Sequence, residues 1–299
     1  MTGTTRKLIA LAGALASIAA APAHATLFAQ AIVMDAQDIK QDTGVMVLNA
    51  EANFTQGGRT SVQSAIASYG VLKTYSQTSS NEVQGLTGSA QAGWIDTITL
   101  NHAGLTGTAG TFRLNFSYNY SLSASTVPDG VAAEGYFLTQ VDVDGASASY
   151  HANAHRQIDN HDGVSELSGY GTVRDAAGEH ASSDTGFSMV VDFVWGAPIR
   201  IMQTASTLCG VGFYPGAPGA SCTADASHST YWGGITDVTT GGVAISDFTL
   251  ASGSGTDYSM SFVPQPVPEP AQVWMLAGGA LVGAMALRRR KVSSRIQQS

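Results

Sequence analysis

The sequence predicts an all-β protein: an antiparallel β-sandwich or jelly-roll-like domain, preceded by a signal peptide and followed by a single C-terminal transmembrane helix. Three observations predict the sandwich. Apolar and polar residues alternate along several central segments, glycine-containing turns separate those segments, and no long central stretch has the period of an amphipathic helix. Short strands separated by tight turns are typical of two antiparallel sheets packed face to face.

The clearest strand signal lies in Thr111–Ala124. Every even position from Phe112 to Leu122 is apolar, and every odd position is polar. Because successive side chains of a strand point to opposite faces, this pattern predicts one buried face and one wet face. The same pattern recurs at Phe187–Trp195 and at Tyr258–Phe262.

Weaker alternation predicts six more strands, which brings the total to roughly nine or ten. These segments are Val45–Phe54, Val62–Tyr75, Trp94–Asn101, Tyr136–Val143, Ser147–Ala154 and Val243–Leu250. Residues that favour tight turns separate the predicted strands. The turns are Gln56–Gly58, Pro128–Gly130, Asp144-Gly145, Asp162-Gly163, Gly241-Gly242 and Gly253–Gly255. No fixed-period repeat and no strong linker divides the central part, so one domain is predicted.

The N-terminus has the organisation of a secretory signal peptide. Arg6 and Lys7 precede an apolar stretch at Leu8–Ala21, and the small-x-small sequence Ala23-His24-Ala25 follows it. This order predicts cleavage after Ala25. The signal peptide is therefore assigned to residues 1–25, and the exported β-sandwich domain to residues 26–263.

The C-terminus combines a proline-rich stalk at residues 264–270, an apolar run at residues 271–287 and a basic tail at residues 288–299. The stalk ends in Val267, Pro268, Glu269 and Pro270. A helix formed by the apolar run would span about 25 Å, the short end of a membrane crossing. The tail is predicted to stay cytoplasmic, because cations flanking a membrane helix do so. Its cations are Arg288, Arg289, Arg290, Lys291 and Arg295.

This C-terminal arrangement resembles the PEP-CTERM sorting signal of Gram-negative bacteria with exopolysaccharide-rich surfaces. A Pro-Glu-Pro tripeptide, a short membrane helix and an arginine cluster occur in that order. The resemblance implies an exosortase-type partner that recognises Val267–Pro270 and removes the helix. It also implies an exported protein, tethered first to the inner membrane through its C-terminal helix and then delivered to the cell surface or matrix, where exopolysaccharide is an expected partner. A plain membrane anchor without processing is the alternative.

Charge is distributed unevenly between the ends and the middle. Seven of the 14 lysines and arginines lie in the two terminal segments, whereas 21 of the 22 acidic residues lie between them. Nucleic-acid binding requires a basic surface, so this acidic domain is not predicted to bind nucleic acid. An acidic surface favours solubility and is compatible with divalent cations.

The two cysteines, Cys209 and Cys222, lie 13 residues apart in a segment rich in glycine and proline. An exported protein meets an oxidising environment, so a disulfide between them is predicted. A zinc site is disfavoured because a second pair of ligands is missing beside the cysteines. A cysteine nucleophile is disfavoured as well, because neither cysteine lies in a recognisable catalytic motif.

The densest polar cluster, His151–Gly163, contains three histidines and two aspartates. Such residues bind transition metals or transfer protons. Gly163 and the neighbouring hydroxyl residues instead predict a solvated loop. On a strand, His151 and His155 would lie about 13 Å apart, too far for one metal ion. A metal or catalytic site is the alternative.

Asp142-Val143-Asp144-Gly145 resembles the start of a calcium-binding loop, where oxygen ligands alternate before a glycine. A third oxygen ligand before the glycine and the glutamate beyond it are missing. No metal or other cofactor is therefore predicted. Calcium is the alternative, with Asp142, Asp144, Asp159 and Asp162 as its candidate ligands.

The chain contains no G-x-S-x-G nucleophile motif. Trp94, Trp195 and Trp232 are predicted to be core residues, with stacking on sugar rings as the alternative. The sequence predicts a non-enzymatic structural, adhesive or carbohydrate-binding protein of a biofilm or matrix. Two alternatives remain: a calcium-dependent binding domain, and an exported polysaccharide hydrolase, because the carboxylates of such an enzyme meet in space and not in sequence.

Overall fold

The computed structural model describes residues 25–33, 36–82, 85–126, 132–145, 148–161, 163–212 and 219–264. These residues form 17 β-strands. In chain order the strands are β1 (Thr26–Val33), β2 (Ala36–Asp42), β3 (Val47–Gln56), β4 (Arg59–Ser68), β5 (Val71–Ser80), β6 (Leu86–Asn101), β7 (Ala109–Tyr118), β8 (Ser121–Ser125), β9 (Ala132–Asp144), β10 (Ser149–His161), β11 (Val164–Asp175), β12 (Gly178–Ala181), β13 (Gly186–Val194), β14 (Pro198–Val211), β15 (Ala220–Thr240), β16 (Val243–Ala244) and β17 (Thr249–Ser252).

The strands form two antiparallel sheets packed as a sandwich, which confirms the predicted all-β sandwich. The first sheet has nine strands in the order β12-β11-β10-β9-β14-β6-β1-β2, and β17 also pairs with β6. The second sheet has eight strands in the order β13-β7-β15-β5-β4-β3, and β8 and β16 also pair with β15. Strands distant in sequence lie at the centre of both sheets, since β14 separates β9 from β6 and β15 separates β7 from β5.

The core lies between the inner faces of the sheets, and aromatic side chains fill its centre. Trp94 of the first sheet and Trp232 of the second have ring centroids 6.1 Å apart, and Tyr258 stacks on Trp94 at 5.4 Å. All three side chains are completely buried. Each buries about 150–250 Å² on folding, so this cluster is a main source of the hydrophobic stabilisation that holds the sheets together.

Strong alternation predicted the buried face of two strands correctly. In β7 and β13 the apolar residues at alternate positions point into the core and the polar residues between them are half-buried or exposed. Phe116 and Phe187 are direct partners across the β7–β13 ladder, and their ring centroids lie 5.2 Å apart. Cross-strand aromatic pairs of this kind stabilise a sheet and its register.

Two predicted strands are each interrupted in the structure. The predicted strand Thr111–Ala124 divides into β7 and β8, and the predicted strand Val62–Tyr75 divides at the turn Tyr69-Gly70 into β4 and β5. Gly70 has φ of 80°, a left-handed backbone conformation that is incompatible with an extended strand. When the alternation of apolar and polar residues resumes after a turn with the same phase, the sequence pattern does not show the turn. Each of these two pairs of strands was therefore predicted as a single strand, and the structure has more strands than were predicted.

The prediction of a strand at Tyr258–Phe262 is wrong. The segment forms turns, although Tyr258 is buried and the Phe262 N–H donates to the Trp232 carbonyl at 2.8 Å. The predicted strand Val243–Leu250 is also wrong over the middle half of its length, since only its ends belong to β16 and β17. In these two segments alternation predicted neither the strand pairing nor the burial of every apolar residue, since Val243 and Met260 are 65% and 63% exposed.

The prediction of a solvated loop at His151–Gly163 is wrong as well. Residues up to His161 belong to β10, which pairs with β9 on one side and β11 on the other. Alternate residues of this strand, Ala152, Ala154 and Ile158, are buried. The alternation was inconspicuous because the polar residues Arg156 and Asn160 are buried at the inward positions between and after them. Gly163, with φ of 80°, forms the turn after the strand.

The predicted disulfide between Cys209 and Cys222 is confirmed. Cys209 lies in β14 of the first sheet and Cys222 lies in β15 of the second sheet. Both cysteines are buried. The bond therefore connects the two sheets covalently through the core.

Replacing both cysteines with alanine is expected to lower stability by about 3 kcal/mol, because a loop of this length then regains its full entropy in the unfolded chain. For a domain of this size the Tm should fall by roughly 6–12 °C, measured by calorimetry or circular dichroism. Reductant should lower the Tm of the wild type by a similar amount and leave the double variant unchanged. A double variant as stable as the oxidised wild type would contradict this role.

Contacts within the chain separate two units, Met1–Val263 and Pro264–Ser299. The described strands belong to the first unit. The predicted membrane helix at residues 271–287 lies outside the described residues. In the part of the chain that the structure describes, there is no helix with the length and apolarity needed to cross a membrane.

Candidate functional site

The first sheet presents an open outer face over β9, β10 and β11, called here the β9–β11 face. In β10 the even-numbered residues are buried and the odd-numbered residues point outward. The strand register places outward residues of the three strands side by side. The face consists of Glu134, Tyr136, Leu138, Gln140, Asp142, His151, Asn153, His155, Gln157, Asp159, Glu166, Ser168, Tyr170, Thr172 and Arg174.

Three aromatic rings cross the middle of this face. His155 of β10 has its ring centroid 5.7 Å from that of Tyr136 in β9 and 4.9 Å from that of Tyr170 in β11. The planes of these neighbouring rings are inclined by 37° and 36°. Tyr170 is 66% exposed. The three rings form a continuous aromatic strip, called here the aromatic strip. Its ring faces are apolar, and its hydroxyl and nitrogen atoms can form hydrogen bonds. The strip is therefore suited to stacking against a ligand that has both an apolar face and hydrogen-bonding groups.

Hydrogen bonds between neighbouring side chains hold the polar groups around the strip. The Asp142 carboxylate is 2.7 Å from His151 Nδ1 and accepts from Gln140 Nε2, also at 2.7 Å. His151 Nε2 is 3.0 Å from Asn153 Nδ2. These bonds restrict the rotamers of four side chains before any ligand arrives, which lowers the entropy lost on binding.

On the other side of the aromatic strip, Gln157 Nε2 donates to Asp159 at 2.7 Å, and the Tyr136 hydroxyl donates to Glu134. Burial and the Glu134 carboxylate raise the pKa of Tyr136. Burial and the neighbouring Arg156 lower the pKa of His155. Both rings are therefore uncharged at neutral pH, so the strip acts as an aromatic surface and not as a cation.

One end of the β9–β11 face is acidic. Asp159 lies directly opposite Glu134 in the β9 ladder and directly opposite Glu166 in the β11 ladder. The arginines lie at the opposite end of the face, beside His151 and Asp144, and are already paired: Arg174 bonds to Glu179 at 2.7 Å, and Arg200 bonds to Asp144 at 3.0 Å. Opposed carboxylates repel an anionic ligand, so the face is suited to neutral or amine-bearing ligands.

The structure separates the candidate calcium ligands. Asp142 and Asp159 lie at opposite ends of the face, since the β10 partner of Asp142 is eight residues, or about 26 Å, from Asp159 along the strand. Asp144 is paired with Arg200, and Asp162 lies outside the described residues. Among described residues, no three histidine, cysteine, aspartate or glutamate side chains converge as a metal site.

The histidines of the predicted cluster do not converge either. His151 and His155 point outward from the same strand, but His151 bonds to Asp142 whereas His155 packs between two tyrosines. Arg156, which follows His155 in sequence, points inward and donates to Asp184 and to the Ser183 carbonyl. The predicted core positions of Trp94, Trp195 and Trp232 are confirmed, since all three are buried.

Sequence reasoning missed the aromatic strip. Its members come from three strands, and two of those strands were unrecognised or displaced in the prediction. A signal was present nonetheless, because Tyr136 and Tyr170 occupy outward positions of their strands, where alternation otherwise places polar residues. An aromatic residue on the polar phase of a strand indicates an exposed ring.

Comparison with known proteins identifies the C-terminus. Residues 266–291 match the family model of the PEP-CTERM protein-sorting motif. The chain carries a PEP-CTERM sorting signal. This signal marks the protein as an exosortase substrate that is exported and sorted at a membrane. No curated protein and no solved structure matches the chain.

The residues of the PEP-CTERM signal and the signal peptide lie mostly outside the described part of the chain. This applies to Val267, Pro268, Glu269, Pro270, Arg288, Arg289, Arg290 and Ala23. Ala25, the predicted last residue of the signal peptide, is described and buried at the start of β1.

Proposed function

We propose that this PEP-CTERM protein is a non-enzymatic surface or matrix protein whose sandwich binds exopolysaccharide through the β9–β11 face. Signal peptidase would cleave after Ala25, and an exosortase would act at Val267–Pro270 to release the domain from the inner membrane. The matched sorting motif supports the export route. The aromatic strip supports the choice of ligand.

The single observation that carries the ligand proposal is the row Tyr136–His155–Tyr170. Sugar rings have an apolar face of C–H groups and an edge of hydroxyls. The strip of neighbouring rings offers an apolar surface to the C–H face of a sugar. The pre-ordered amide and carboxylate groups beside the strip can donate and accept hydrogen bonds with the sugar hydroxyls. An open, nearly flat face also accommodates a polymer, which a deep pocket would not.

The row of three carboxylates, Glu134, Asp159 and Glu166, limits the class of polysaccharide that the β9–β11 face can bind. Carboxylates at this spacing oppose uronic acids and sulfated sugars. The proposed ligands are therefore neutral polysaccharides and polysaccharides with free amino groups. Binding of an amino polysaccharide would weaken as salt is raised, whereas binding of a neutral one would not.

Replacing Tyr170 with alanine is expected to weaken binding to such a polysaccharide about tenfold, because a stacked ring contributes about 1.4 kcal/mol. The Tm should change little, since this side chain is largely exposed. Affinity electrophoresis in gels containing neutral, amino or uronic acid polysaccharide measures the effect. Tyr75→Ala is the matched control, since Tyr75 lies on the outer side of the second sheet, in β5; it should bind like the wild type.

Equal binding by the Tyr170→Ala variant and the wild type would remove the β9–β11 face from the proposal. Release of reducing ends from the polysaccharide, abolished by Asp159→Asn, would favour the hydrolase alternative, because Asp159 lies between two other carboxylates beside the aromatic strip. A rise in Tm with added calcium would favour the calcium-dependent binding domain, since a ligand specific for the folded state stabilises it.

A further inference from the structure

Asp96 is a carboxylate buried at the end of the core. It lies on β6 with its side chain pointing inward, next to the aromatic cluster, and is 1% exposed. Its oxygens accept hydrogen bonds from the Thr97 N–H at 2.7 Å, from the Ser254 N–H at 3.2 Å and from the Ser254 hydroxyl. These donors are neutral.

No cation among the described side chains pairs with Asp96: the ion pairs of the described residues all involve other carboxylates. The nearby titratable groups, Tyr69 and Tyr258, are phenols whose pKa is raised by burial and by the Asp96 charge. The Tyr258 hydroxyl lies close enough to Asp96 and Ser254 to interact with both, although its geometry falls short of an ordinary hydrogen bond. A buried carboxylate without a counter-ion is strongly unfavourable, so this site is suited to a positively charged group.

The start of the domain lies directly against this carboxylate. Thr26 is the partner of Ile95 in the β1–β6 ladder, which places Ala25 opposite Asp96. Ala25 and Thr26 are only 6% and 5% exposed. A cavity of about 160 Å³ adjoins Ala25 and is also lined by Tyr69, Ser254 and residues of the 43–46 turn. Facing residues of an antiparallel pair are about 5 Å apart, so the Ala25–Thr26 peptide bond lies beside the Ile95–Asp96 segment of β6.

We propose that the counter-ion of Asp96 is the α-ammonium group of Thr26, which exists only after the signal peptide has been removed. Hydrolysis of the Ala25–Thr26 bond consumes one water: the new carboxylate leaves on Ala25, and the Thr26 nitrogen takes up protons to become an ammonium. An ammonium has three donors, so it can keep a strand hydrogen bond and still donate to Asp96. Departure of Ala25 also enlarges the cavity that the ammonium enters.

This ion pair would couple processing to stability. Before cleavage the core contains a carboxylate that is hydrogen-bonded but has no counter-ion, and after cleavage it contains a buried ion pair. The mature domain is therefore more stable than the precursor, which suits a chain that must cross the membrane unfolded. This inference is independent of the polysaccharide proposal and depends on cleavage after Ala25.

The pair also predicts a pH dependence. The α-amino group of an unfolded chain has a pKa of about 7.7–8.0. The Asp96 carboxylate raises it in the folded state, so the stabilisation is fully present below about pH 7.7 and is lost as the pH rises through the folded pKa. Charged and titratable groups on the packed elements are Asp96 on β6, Asp42 on β2, Tyr69 after β4 and Tyr258. Both phenols have raised pKa values and stay neutral through this range.

The test uses the mature protein, purified from the host after export of the full-length precursor. Its N-terminus is first established by intact mass. Three variants accompany the wild type: an insertion of Gly-Ser between Ala25 and Thr26, Asp96→Asn, and both changes together. The insertion moves the ammonium away but leaves the rest of the sequence intact. We expect it to lower the Tm by at least about 4 °C when Asp96 is present, because it leaves a buried charge unpaired, and by less than half as much in the Asp96→Asn background.

Labelling of the N-terminal amine at about pH 7.5 is a second measurement that requires only folded protein, at a pH just below the unfolded pKa of the amine. A buried, paired ammonium should react at least tenfold more slowly in the wild type than in the insertion variant, as followed by mass spectrometry. Equal Tm losses with and without the Asp96→Asn change, equal labelling rates, or an N-terminus other than Thr26 would each overturn the proposal. None of these results would affect the binding of polysaccharide by the β9–β11 face.

Discussion

Replacing Glu269 with alanine is expected to leave the whole C-terminal tail on the protein and to confine it to the membrane fraction. Glu269 is the only charged residue of the matched motif before the basic cluster. Pro268 and Pro270 lack N–H groups and favour extended backbone, so the sequence predicts that the tripeptide does not join a helix and is available to a protease. Removal of the carboxylate eliminates the one group in this segment that can form a charge-assisted hydrogen bond with the enzyme.

Intact mass of protein recovered separately from membrane, surface and medium of the native host measures this effect. The wild type should yield a form that begins at Thr26 and lacks residues 271–287, and the Glu269→Ala variant should not. Gln265→Ala is the matched control, because it alters a neighbouring stalk residue just outside the matched range 266–291. A full-length tail in the wild type as well would identify the C-terminus as a plain anchor and would remove the support for a matrix location.

Replacing Trp232 with alanine is expected to be the most destabilising single substitution of the core. Its ring contacts Phe116 at 5.2 Å, Tyr258 at 4.9 Å and Trp94 at 6.1 Å. Its indole N–H donates to the Tyr258 carbonyl at 2.8 Å. Truncation of such a residue costs about 3–5 kcal/mol, from lost burial and from the cavity that remains. The Tm should therefore fall by roughly 6–20 °C in a thermal unfolding experiment.

The same substitution should loosen the segment that precedes the sorting signal. The Trp232 side chain holds this segment through its contact with the Tyr258 ring at 4.9 Å and through the hydrogen bond from its indole N–H to the Tyr258 carbonyl, and alanine lacks both. Limited proteolysis should cut the Trp232→Ala variant near residues 253–262 while the wild type resists. Trp232→Phe is the control, because it retains an aromatic ring and loses only part of the volume and the indole N–H; it should lose less than half as much stability. Wild-type stability and protease resistance of Trp232→Ala would contradict this account.

Local features of the sequence were sufficient for part of the fold. The strands β7 and β13 were predicted correctly because bulky apolar residues occur at every second position, and a strand with one buried face requires that spacing. The disulfide was predicted because the chain has only two cysteines and is exported. The first half of β10 was predicted within the strand Ser147–Ala154, whereas its second half was predicted as a loop because the polar residues Arg156 and Asn160 occupy inward positions there.

The candidate site required the tertiary structure. Tyr136, His155 and Tyr170 are separated by 19 and 15 residues in the chain, and only the register of β9, β10 and β11 makes them neighbours. The same is true of Asp96, Ser254 and Thr26, which three different segments bring together. Asp96 is preceded by Trp94 on the same inward phase, but nothing nearby in sequence indicates that its carboxylate is buried.

The sequence by itself determined the export signals, the all-β class, the acidic character of the domain and the cysteine pair. These properties depend on composition, on short contiguous motifs or on the two-residue period of a strand. Only the tertiary structure decided the order of the strands, the aromatic face and the buried carboxylate beside the start of β1. These depend on pairing between residues distant in the chain, where a shift of one residue in register would turn every side chain of a strand to the opposite face.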